Sequence, residues 1–332
     1  MWVSEMSNHC GLTAWQQNTR IVHAVSDTPD GKYRFVNEVI PTFAANPAVV
    51  RGENGEYIML FEHSWPPPCN YSKCTCSNGS TTQVCEEAMA AKHCNFNTAR
   101  WPSYMAYATN PNGPWSTPEL IPAYRDEGDQ GDFNLSPVIF QNGSALLMYR
   151  YGGGTPYNSH LRLGWADHWR NVSSYRQHNA TNIFPNQTSG GMEDPMLYRD
   201  NKGHFHALVH SMVGETTCHR LGALDGRGSC GAHLFSYTGY DWHYVNDHGM
   251  YNGTIVYTKG TGMDMEEGGV KATVIRRERP YGIMQQDLHS GNDYECSPGI
   301  YQPCGELHAL LTASMYPPED GTFTLLSRLG KE

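Results

Sequence analysis

The stretch GMEDPMLYRDNKGHFHALV, residues 191–209, has the pattern of a β-hairpin. Two acidic residues and a proline open a first apolar run, and a polar turn ending in Gly203 leads into a second run. Proline is tolerated at the start of a strand because that residue need not donate to the sheet ladder. Asn, Asp and Gly are the usual residues of tight turns. The stretch therefore predicts two antiparallel strands joined by a short turn.

The same pattern returns along the chain, at 46–61 and 136–149, with a weaker copy at 279–284 and 305–311. A second element, made of a strand, a Pro/Gly turn and an aromatic residue, follows most of these hairpins, at 23–33, 105–115, 163–169 and 233–242. Two strands and two more make a four-stranded antiparallel blade. Regular strands with this recurring turn chemistry favour a radial array of blades over the alternative, a two-sheet sandwich.

The predicted fold is all-β: a single domain, 1–332, forming a five-bladed β-propeller with four-stranded antiparallel blades. Four blades are visible in the repeats, and the fifth is inferred from the termini. The strands near 20–40 have no inner pair before them, so we expect the N- and C-terminal segments to share a blade and close the ring. Helical periodicity is almost absent; its best candidate is 85–92, within a Cys-rich insertion, 64–100, in the first blade.

Composition excludes several classes of protein. The 332 residues carry 23 Lys and Arg against 33 Asp and Glu, a net charge of −10. The acidic balance, without a Lys/Arg-rich run, argues against nucleic acid as a partner. No apolar run approaches the roughly 18 residues of a membrane span. The first residues lack the basic and apolar segments of a secretory signal, so that signal is either missing from this sequence or never existed.

Cysteines and glycosylation sequons favour an oxidising, secretory environment. Of ten cysteines, the simplest local pairs are Cys218 with Cys230 and Cys296 with Cys304. The pairing of the other six stays open, and zinc bound with nearby histidines is the alternative for some of them. The open six are Cys10, Cys69, Cys74, Cys76, Cys85 and Cys94. The eight Asn-x-Ser/Thr acceptors are Asn70, Asn78, Asn134, Asn142, Asn171, Asn179, Asn186 and Asn252. We expect a secreted or cell-surface glycoprotein, the alternative being chance sequons in a cytosolic protein.

Residues beside each leading proline are the candidates for a functional site, because the inner strands of a propeller begin around its central channel. They are Asn46, Asn134 with Ser136, Glu193 with Asp194, and Glu278 with Arg277 and Arg279. Carboxylates and arginines are therefore expected to face one pocket. The alternative is that such acidic residues only cap strands and bond turn amides.

Several motifs resemble those of the five-bladed β-propeller glycoside hydrolases, the arabinanase, β-xylosidase and α-arabinofuranosidase group of the family 43 type. They are 191–200, 201–206, the Gly113-Pro114-Trp115 turn and 276–280, and the resemblance spans about 15–330. Within this group, the chain most resembles a divergent, eukaryotic-type member. The resemblance implies a base Asp before the first blade's proline, an Asp that orients and tunes, and an acid Glu two residues before a later proline.

Asp194 matches the orienting residue and Glu278 the acid, but Asn46 stands where the base is expected. A neutral amide cannot accept the proton, and glycoside hydrolysis ordinarily needs two carboxyl groups. Glu193 or Glu62 would have to substitute. The resemblance therefore predicts a secreted glycosidase-like propeller that hydrolyses polysaccharide or descends from enzymes that do. The alternative is a non-catalytic carbohydrate-binding or structural extracellular glycoprotein.

Further residues are expected to bind the sugar. Arg277 and Arg279 are predicted to fix the substrate or the carboxylates, and aromatic rings can stack on a sugar face. The remaining substrate-binding candidates are Trp65, Arg150, Tyr151 and His210. We expect Trp115 and Trp242 to pack between blades instead. No cofactor is required, although the resemblance admits a structural calcium in the central channel, and the expected partners are carbohydrate and an extracellular assembly.

Overall fold

The computed structural model describes residues 1–7, 15, 19–28, 31–64, 101–125, 133–152, 160–178, 183, 192–200, 202–211, 230–245, 250–251, 254–257, 270–273, 276–284, 307–316 and 321–328. For Glu278 and most of the strand residues that follow it, this description covers the backbone alone. None of the described helices has the length and apolar character that a membrane crossing requires. The Cys-rich insertion falls between two described strands and, apart from Ser64, lies outside these ranges.

Three sheets have four antiparallel strands each, and every one runs in chain order from its first strand to its last. The first contains β4 (Ala44–Arg51), β5 (Tyr57–His63), β6 (Ser103–Ala108) and β7 (Glu119–Leu120). The second contains β8 (Ser136–Ile139), β9 (Ala145–Tyr151), β10 (His160–Ala166) and β11 (Tyr175–Gln177). The third contains β12 (Met192–Arg199), β13 (Phe205–Ser211), β14 (Cys230–Ser236) and β15 (His243–Tyr244).

The other strands form smaller sheets. One contains β1 (Trp2–Met6), β2 (Thr19–Val25) and β3 (Arg34–Ile40), and another contains β18 (Arg276–Met284), β19 (Leu307–Tyr316) and β20 (Gly321–Arg328). A hairpin contains β16 (Thr254–Tyr257) and β17 (Val270–Thr273). Single-turn 3₁₀ helices occur at Pro122–Tyr124 and Val172–Ser174.

The predicted all-β propeller of four-stranded antiparallel blades is confirmed. The predicted number of blades, five, and the predicted closure of the ring by the two terminal segments are not. Only three sheets are complete in the described ranges, so five four-stranded blades are not shown. The expected sharing of one blade by the two termini is wrong for these ranges. Residues Trp2–Met6 pair with β2 and supply the inner strand that the sequence seemed to lack, while the C-terminal strands form their own sheet.

The first strands of successive sheets lie beside one another, in the order β1, β4, β8, β12 and β18. Apolar side chains fill the spaces between sheets: Tyr149 packs with Tyr124 and the fully buried Trp169, and Leu197 packs with Trp242. Trp242 is 5% exposed, as expected for a residue between blades. Burial of these large side chains is the main source of stability between neighbouring blades.

Three of the four leading prolines, Pro47, Pro195 and Pro280, lie in β-bulges, whereas Pro137 pairs with Leu147 in a regular ladder. The pairing of β12 with β13 is interrupted between Glu193 and Met196, so Asp194 and Pro195 are the bulged residues. Equivalent interruptions occur between Ala45 and Ala48 in β4 and between Glu278 and Tyr281 in β18. A bulge leaves a residue outside the ladder, which is why a proline fits there. These three prolines therefore mark where β4, β12 and β18 bend.

Candidate functional site

Four residues near the starts of successive inner strands share a left-handed backbone. Their φ angles are 53° at Asn46, 48° at Asn134, 50° at Asp194 and 54° at Arg279. We call this set the ring-start residues. A left-handed conformation costs a residue with a Cβ about 1–2 kcal/mol, and Asn and Asp tolerate it best. Strained residues cluster at functional sites, so their recurrence at corresponding places indicates a site at this end of the blades.

Glu62 joins two of the ring-start residues. Its Oε2 accepts a hydrogen bond of 2.7 Å from Asn46 Nδ2, and its Oε1 accepts one of 2.5 Å from the backbone N–H of Asn134. The Glu62 side chain is buried, at 1% exposure. Both carboxylate oxygens therefore tie β4 to β8, and Glu62 is not placed to serve as a substitute base. The contact also fixes the Asn46 amide with its NH₂ toward Glu62.

Glu193 lies in a second buried cluster. His210 Nδ1 is 3.0 Å from its Oε1, and Arg150 Nη1 is 3.5 Å from its Oε2. Burial alone raises the pKa of Glu193, but the hydrogen bond from His210 and the positive charges of His210, Arg150 and Arg279 outweigh it, lowering that pKa to about 2. A group with so low a pKa is a poor general base near neutral pH. The role of Glu193 as a substitute base stays a prediction, and this low pKa counts against it.

Asp194 is the carboxylate among the ring-start residues. Its side chain is 7% exposed, and its Oδ2 lies 3.7 Å from His210 Nδ1. His210 Nδ1 therefore forms a hydrogen bond with Glu193 and lies beside the Asp194 carboxylate without bonding to it. The orienting role assigned to Asp194 by resemblance stays a prediction.

The β18 register separates the roles of three predicted residues. Arg279, not Glu278, takes the left-handed bulge position that Asp194 takes in its blade, and Glu278 takes the place of Glu193. The Arg279 side chain is partly buried, and its charge acts on Glu193. The side chains of Glu278 and Arg277 lie outside the described atoms. The acid role of Glu278 and the substrate role of Arg277 remain predictions.

Arg150 and His210 both contact Glu193, and the substrate-binding role expected of them stays a prediction. They occupy equivalent places on the second strands of their blades, together with Glu62. Glu62 pairs with Ala45, His210 pairs with Glu193, and Arg150 donates its backbone N–H to the carbonyl just before Asn134, at 2.7 Å. This equivalence depends on the bulges, so the sequence spacing did not reveal it.

The aromatic candidates divide in a similar way. Tyr151 is half-buried, and the Arg162 guanidinium lies 3.3 Å from the centre of its ring. That face is therefore occupied by a cation–π contact and not open to a sugar. Trp65 lies outside the described residues. Trp115 packs edge-on against Trp2 at 6.0 Å, between the sheet of β1–β3 and the sheet of β4–β7, as expected.

A cation site is suggested by three donor groups, since ligand atoms of Glu193, Asp194 and His210 all lie within 4.8 Å of one another. Calcium does not fit this set. It prefers six to eight oxygen ligands, whereas here one donor is an imidazole and Glu193 already contacts the positive Arg150 guanidinium. The positive charge that a metal would supply is provided by the side chains of Arg150 and His210.

The structure corrects one glycosylation prediction. Asn134 is only 6% exposed and lies against Glu62, so the folded chain has no room for a glycan there. Asn142 and Asn171 are exposed and remain suitable acceptors. Other sequons lie outside the described residues: Asn70, Asn78, Asn179, Asn186 and Asn252. So do Cys218, Cys296 and Cys304, and only the backbone of Cys230 is described.

Comparison with known proteins identifies the fold. No protein-family model and no curated protein matches the sequence. Among solved structures, the catalytic domain of a GH62 α-L-arabinofuranosidase from Coprinopsis cinerea matches with a TM-score of 0.57 at 13% identity, covering 98% of this chain and 84% of that one. An endo-arabinase from Bacteroides thetaiotaomicron gives 0.55 at 10%, covering 96% and 88%. A family 117 glycoside hydrolase from Zobellia galactanivorans gives 0.51 at 13%, covering 95% and 71%. The chain therefore has the β-propeller fold of these glycoside hydrolases.

Proposed function

We propose that the ring-start residues form the mouth of a saccharide-binding pocket in a glycosidase-like propeller. The observation that carries the proposal is their shared left-handed backbone at corresponding places in successive blades, which brings amide, carboxylate and guanidinium groups to one end of the strands. A few convergent polar groups on a rigid scaffold are typical of small-molecule sites. Hydroxyl-rich ligands suit this mixture of donors and acceptors. The similar solved structures include an α-L-arabinofuranosidase, an endo-arabinase and a xylan β-1,4-xylosidase, which supports a sugar ligand.

Binding without ordinary hydrolysis is the form of this function that the contacts favour. Asn46 cannot act as a base, Glu62 is tied between two strands, and Glu193 is held ionised by its partners. Hydrolysis usually requires one carboxyl group as acid and another as base or nucleophile. With Glu278 as the acid, we find no described carboxylate free of such ties that takes the place of Asn46.

Hydrolysis is the second candidate, and the geometry of Asp194 favours it. This residue is buried and strained beside His210, as expected of a group that orients a reaction. In this version Glu278 protonates the leaving oxygen, and Asp194 holds the acid in position and raises its pKa. The base then has to come from residues outside the described set, or its loss leaves a slow enzyme.

Calorimetry with short arabino-, xylo- and galacto-oligosaccharides tests the binding proposal. We expect one of them to bind the wild-type protein, Asp194→Asn to weaken that binding, and Arg34→Gln to leave it unchanged. Arg34 is an exposed residue of β3, away from the ring-start residues. If none of the oligosaccharides binds, the pocket is not a saccharide site of these classes. Aryl-glycoside hydrolysis by the wild type and by Glu278→Gln decides the second candidate: equal background rates eliminate it.

We also propose five blades, because five inner strands lie in succession, and the two three-stranded sheets would each need one more strand. Secretion, glycans on exposed sequons such as Asn142 and Asn171, disulfides and an extracellular assembly complete the proposal. Mass spectrometry of the native protein tests this part. Free thiols together with unmodified asparagines would contradict it.

A further inference from the structure

A tightly held turn presents two tyrosines to solvent at the far end of the third four-stranded sheet. The turn follows β14, and Tyr237 and Tyr240 are 70% and 59% exposed. The backbone N–H groups of Thr238 and Gly239 donate to Ser236 Oγ, at 3.3 and 2.9 Å. The backbone N–H of Tyr240 donates to Thr238 Oγ1, at 3.1 Å. The turn is therefore rigid, although its largest side chains contribute little to the core.

Buried groups hold the turn from below. Trp242 is 5% exposed, and its Nε1 donates to the Gly239 carbonyl at 2.9 Å. Gly239 has a φ of 85°, and a Cβ at this residue would lie 3.0 Å from Leu146 and 3.2 Å from Phe205. Only glycine meets both demands, the positive φ and the close approach. The backbone between the two tyrosines is thus pressed onto the core of the neighbouring sheets.

The neighbouring blade extends this aromatic surface. The Trp165 ring is 39% exposed and lies 5.9 Å from the exposed His178 ring, which in turn lies 6.4 Å from Tyr240. On the other side, Tyr237 contacts the partly buried His204 ring edge-on at 5.0 Å. We call Trp165, His178, Tyr237 and Tyr240 the rim aromatics. Trp165, His178 and Tyr240 are neighbouring rings that span two blades, and Tyr237 lies in the same turn as Tyr240.

The rim aromatics lie opposite the proposed pocket. In the third sheet, Glu193 and His210 pair at the end that carries the ring-start residue, whereas Phe205 pairs with Ser236 at the other end, where the turn begins. Trp165 lies next to Ala166, which pairs with the first residue of β9 at the corresponding end of its own sheet. The rim aromatics are therefore a surface separate from the ring-start residues.

Size and polarity distinguish the ligand that fits this surface. A Tyr or Trp side chain offers roughly 150–250 Å², so the exposed fractions leave about 350 Å² of tyrosine and tryptophan surface in the open. A stable protein interface buries about 800 Å² on each partner. Exposed polar groups lie among the rim aromatics, on the His178 ring itself and on Thr238 and Asp241. Spaced rings with hydrogen-bonding groups between them suit sugar rings, which are apolar on one face and bear hydroxyls at their edges.

We propose that the rim aromatics form a second saccharide-binding site, which holds a polysaccharide chain against the end of the propeller opposite the ring-start residues. The fixed backbone of the turn means that little conformational entropy is lost when the ligand binds. Tyr and Trp have few rotatable bonds, so their rings add contact area at a low entropic cost. The site binds by stacking and hydrogen bonding alone and makes or breaks no covalent bond.

Electrophoresis through native gels that contain soluble arabinan, xylan or galactan tests the site. We expect one polymer to retard the wild-type protein. Each stacked ring contributes about 0.5–1.5 kcal/mol, a two- to twelvefold change in affinity, so the double variant Tyr237→Ala/Tyr240→Ala should bind about tenfold more weakly or worse. The matched control is Phe35→Ala, because Phe35 is 58% exposed on a different blade. Its retardation should equal that of the wild type.

Three outcomes overturn the second site: no polymer retards the wild type, the double variant is retarded as strongly as the wild type, or Phe35→Ala weakens binding equally. A fourth is a wild-type dimer in light scattering that the double variant converts to a monomer, since the tyrosines would then be a protein interface. Thermal unfolding checks that the variants are folded. We expect them to be, because both tyrosines are exposed. Oligosaccharide calorimetry with Asp194→Asn reports on the ring-start pocket separately, so either site can fail alone.

Discussion

Replacing Asn46 by aspartate introduces the residue type that a glycosidase base requires, yet the structure predicts that the change destabilises the chain. Asn46 Nδ2 donates to Glu62 Oε2 over 2.7 Å. In Asn46→Asp a carboxylate oxygen takes the place of that donor. Two unit charges 2.7 Å apart repel by about 6 kcal/mol at an effective dielectric constant of 20. The pair can avoid this repulsion by binding one proton between its two carboxylates.

The free-energy cost of binding that proton sets how much Asn46→Asp destabilises the protein. Protonating an aspartate of pKa about 3.9 at pH 7 costs about 4 kcal/mol, which is less than the repulsion. The folded-state pKa of the pair is thus raised above its unfolded value. Stability is then unaffected below the unfolded pKa, falls as pH rises above it, and levels off above the folded pKa. We expect Asn46→Asp to lose about 4 kcal/mol of unfolding free energy at pH 7 and less than about 1 kcal/mol at pH 4.5.

Urea denaturation of the wild type, Asn46→Asp and Asn46→Asp/Glu62→Gln at both pH values measures these differences. In the double variant the glutamine amide can donate to the introduced carboxylate, so most of the loss at pH 7 should disappear. Aryl-glycoside assays accompany the stability measurements, and only the double variant leaves an ionised carboxylate at this position. A pH-independent loss, or a loss below about 1 kcal/mol at pH 7, refutes the like-charge reasoning.

Three further outcomes follow from other contacts. Arg150→Met removes a buried partner of Glu193 and should cost about 3 kcal/mol in urea denaturation, with wild-type stability counting against the ion pair. Burial lowers the pKa of His63 and of His233 to about 4. Each buried, neutral histidine therefore leaves the free energy of unfolding unaffected above pH 6.5 and lowers it as pH falls toward 4, by up to about 3 kcal/mol. His63→Asn should flatten the pH dependence of stability, and an unchanged slope would contradict this prediction. Gly239→Ala should lower thermal stability by about 1–2 kcal/mol and weaken polymer binding, because the positive φ and the core contacts exclude a Cβ; unchanged melting would contradict this.

Most of the fold was predictable because its signals are local. The prolines and glycines that punctuate 46–61, 136–149 and 191–209 mark the starts and turns of β4 to β5, β8 to β9 and β12 to β13. Trp2–Met6 was missed because five residues with no proline and no glycine turn carry little strand signal. Only their pairing with β2 shows that they form an inner strand. The expected joining of the two termini in one blade was wrong for this reason.

The site was less predictable because it depends on contacts between blades. The sequence indicated Asp194, Asn46 and Asn134 through their nearby prolines, and the structure gives all three left-handed backbones. It could not show that Glu62 would bond to two of them, since those partners lie 16 and 72 residues away. The sequence likewise could not show that Arg150 contacts Glu193, because the strand register that brings the two side chains together cannot be read from one sequence.

The contact between Asn46 and Glu62 also bears on how such a site can change over evolutionary time. Asn and Asp have nearly the same shape and are the side chains that best tolerate a left-handed backbone, so exchanging one for the other disturbs the main chain little. Because the Glu62 carboxylate faces the Asn46 amide, asparagine is favoured over aspartate at this position. Because Glu62 accepts a hydrogen bond from Asn46, a single change of Asn46 to aspartate meets a like charge, and a second change at Glu62 is needed to accommodate it. In the proposed non-hydrolytic form of the function, this pair permits the loss of a carboxylate at this position more readily than its gain.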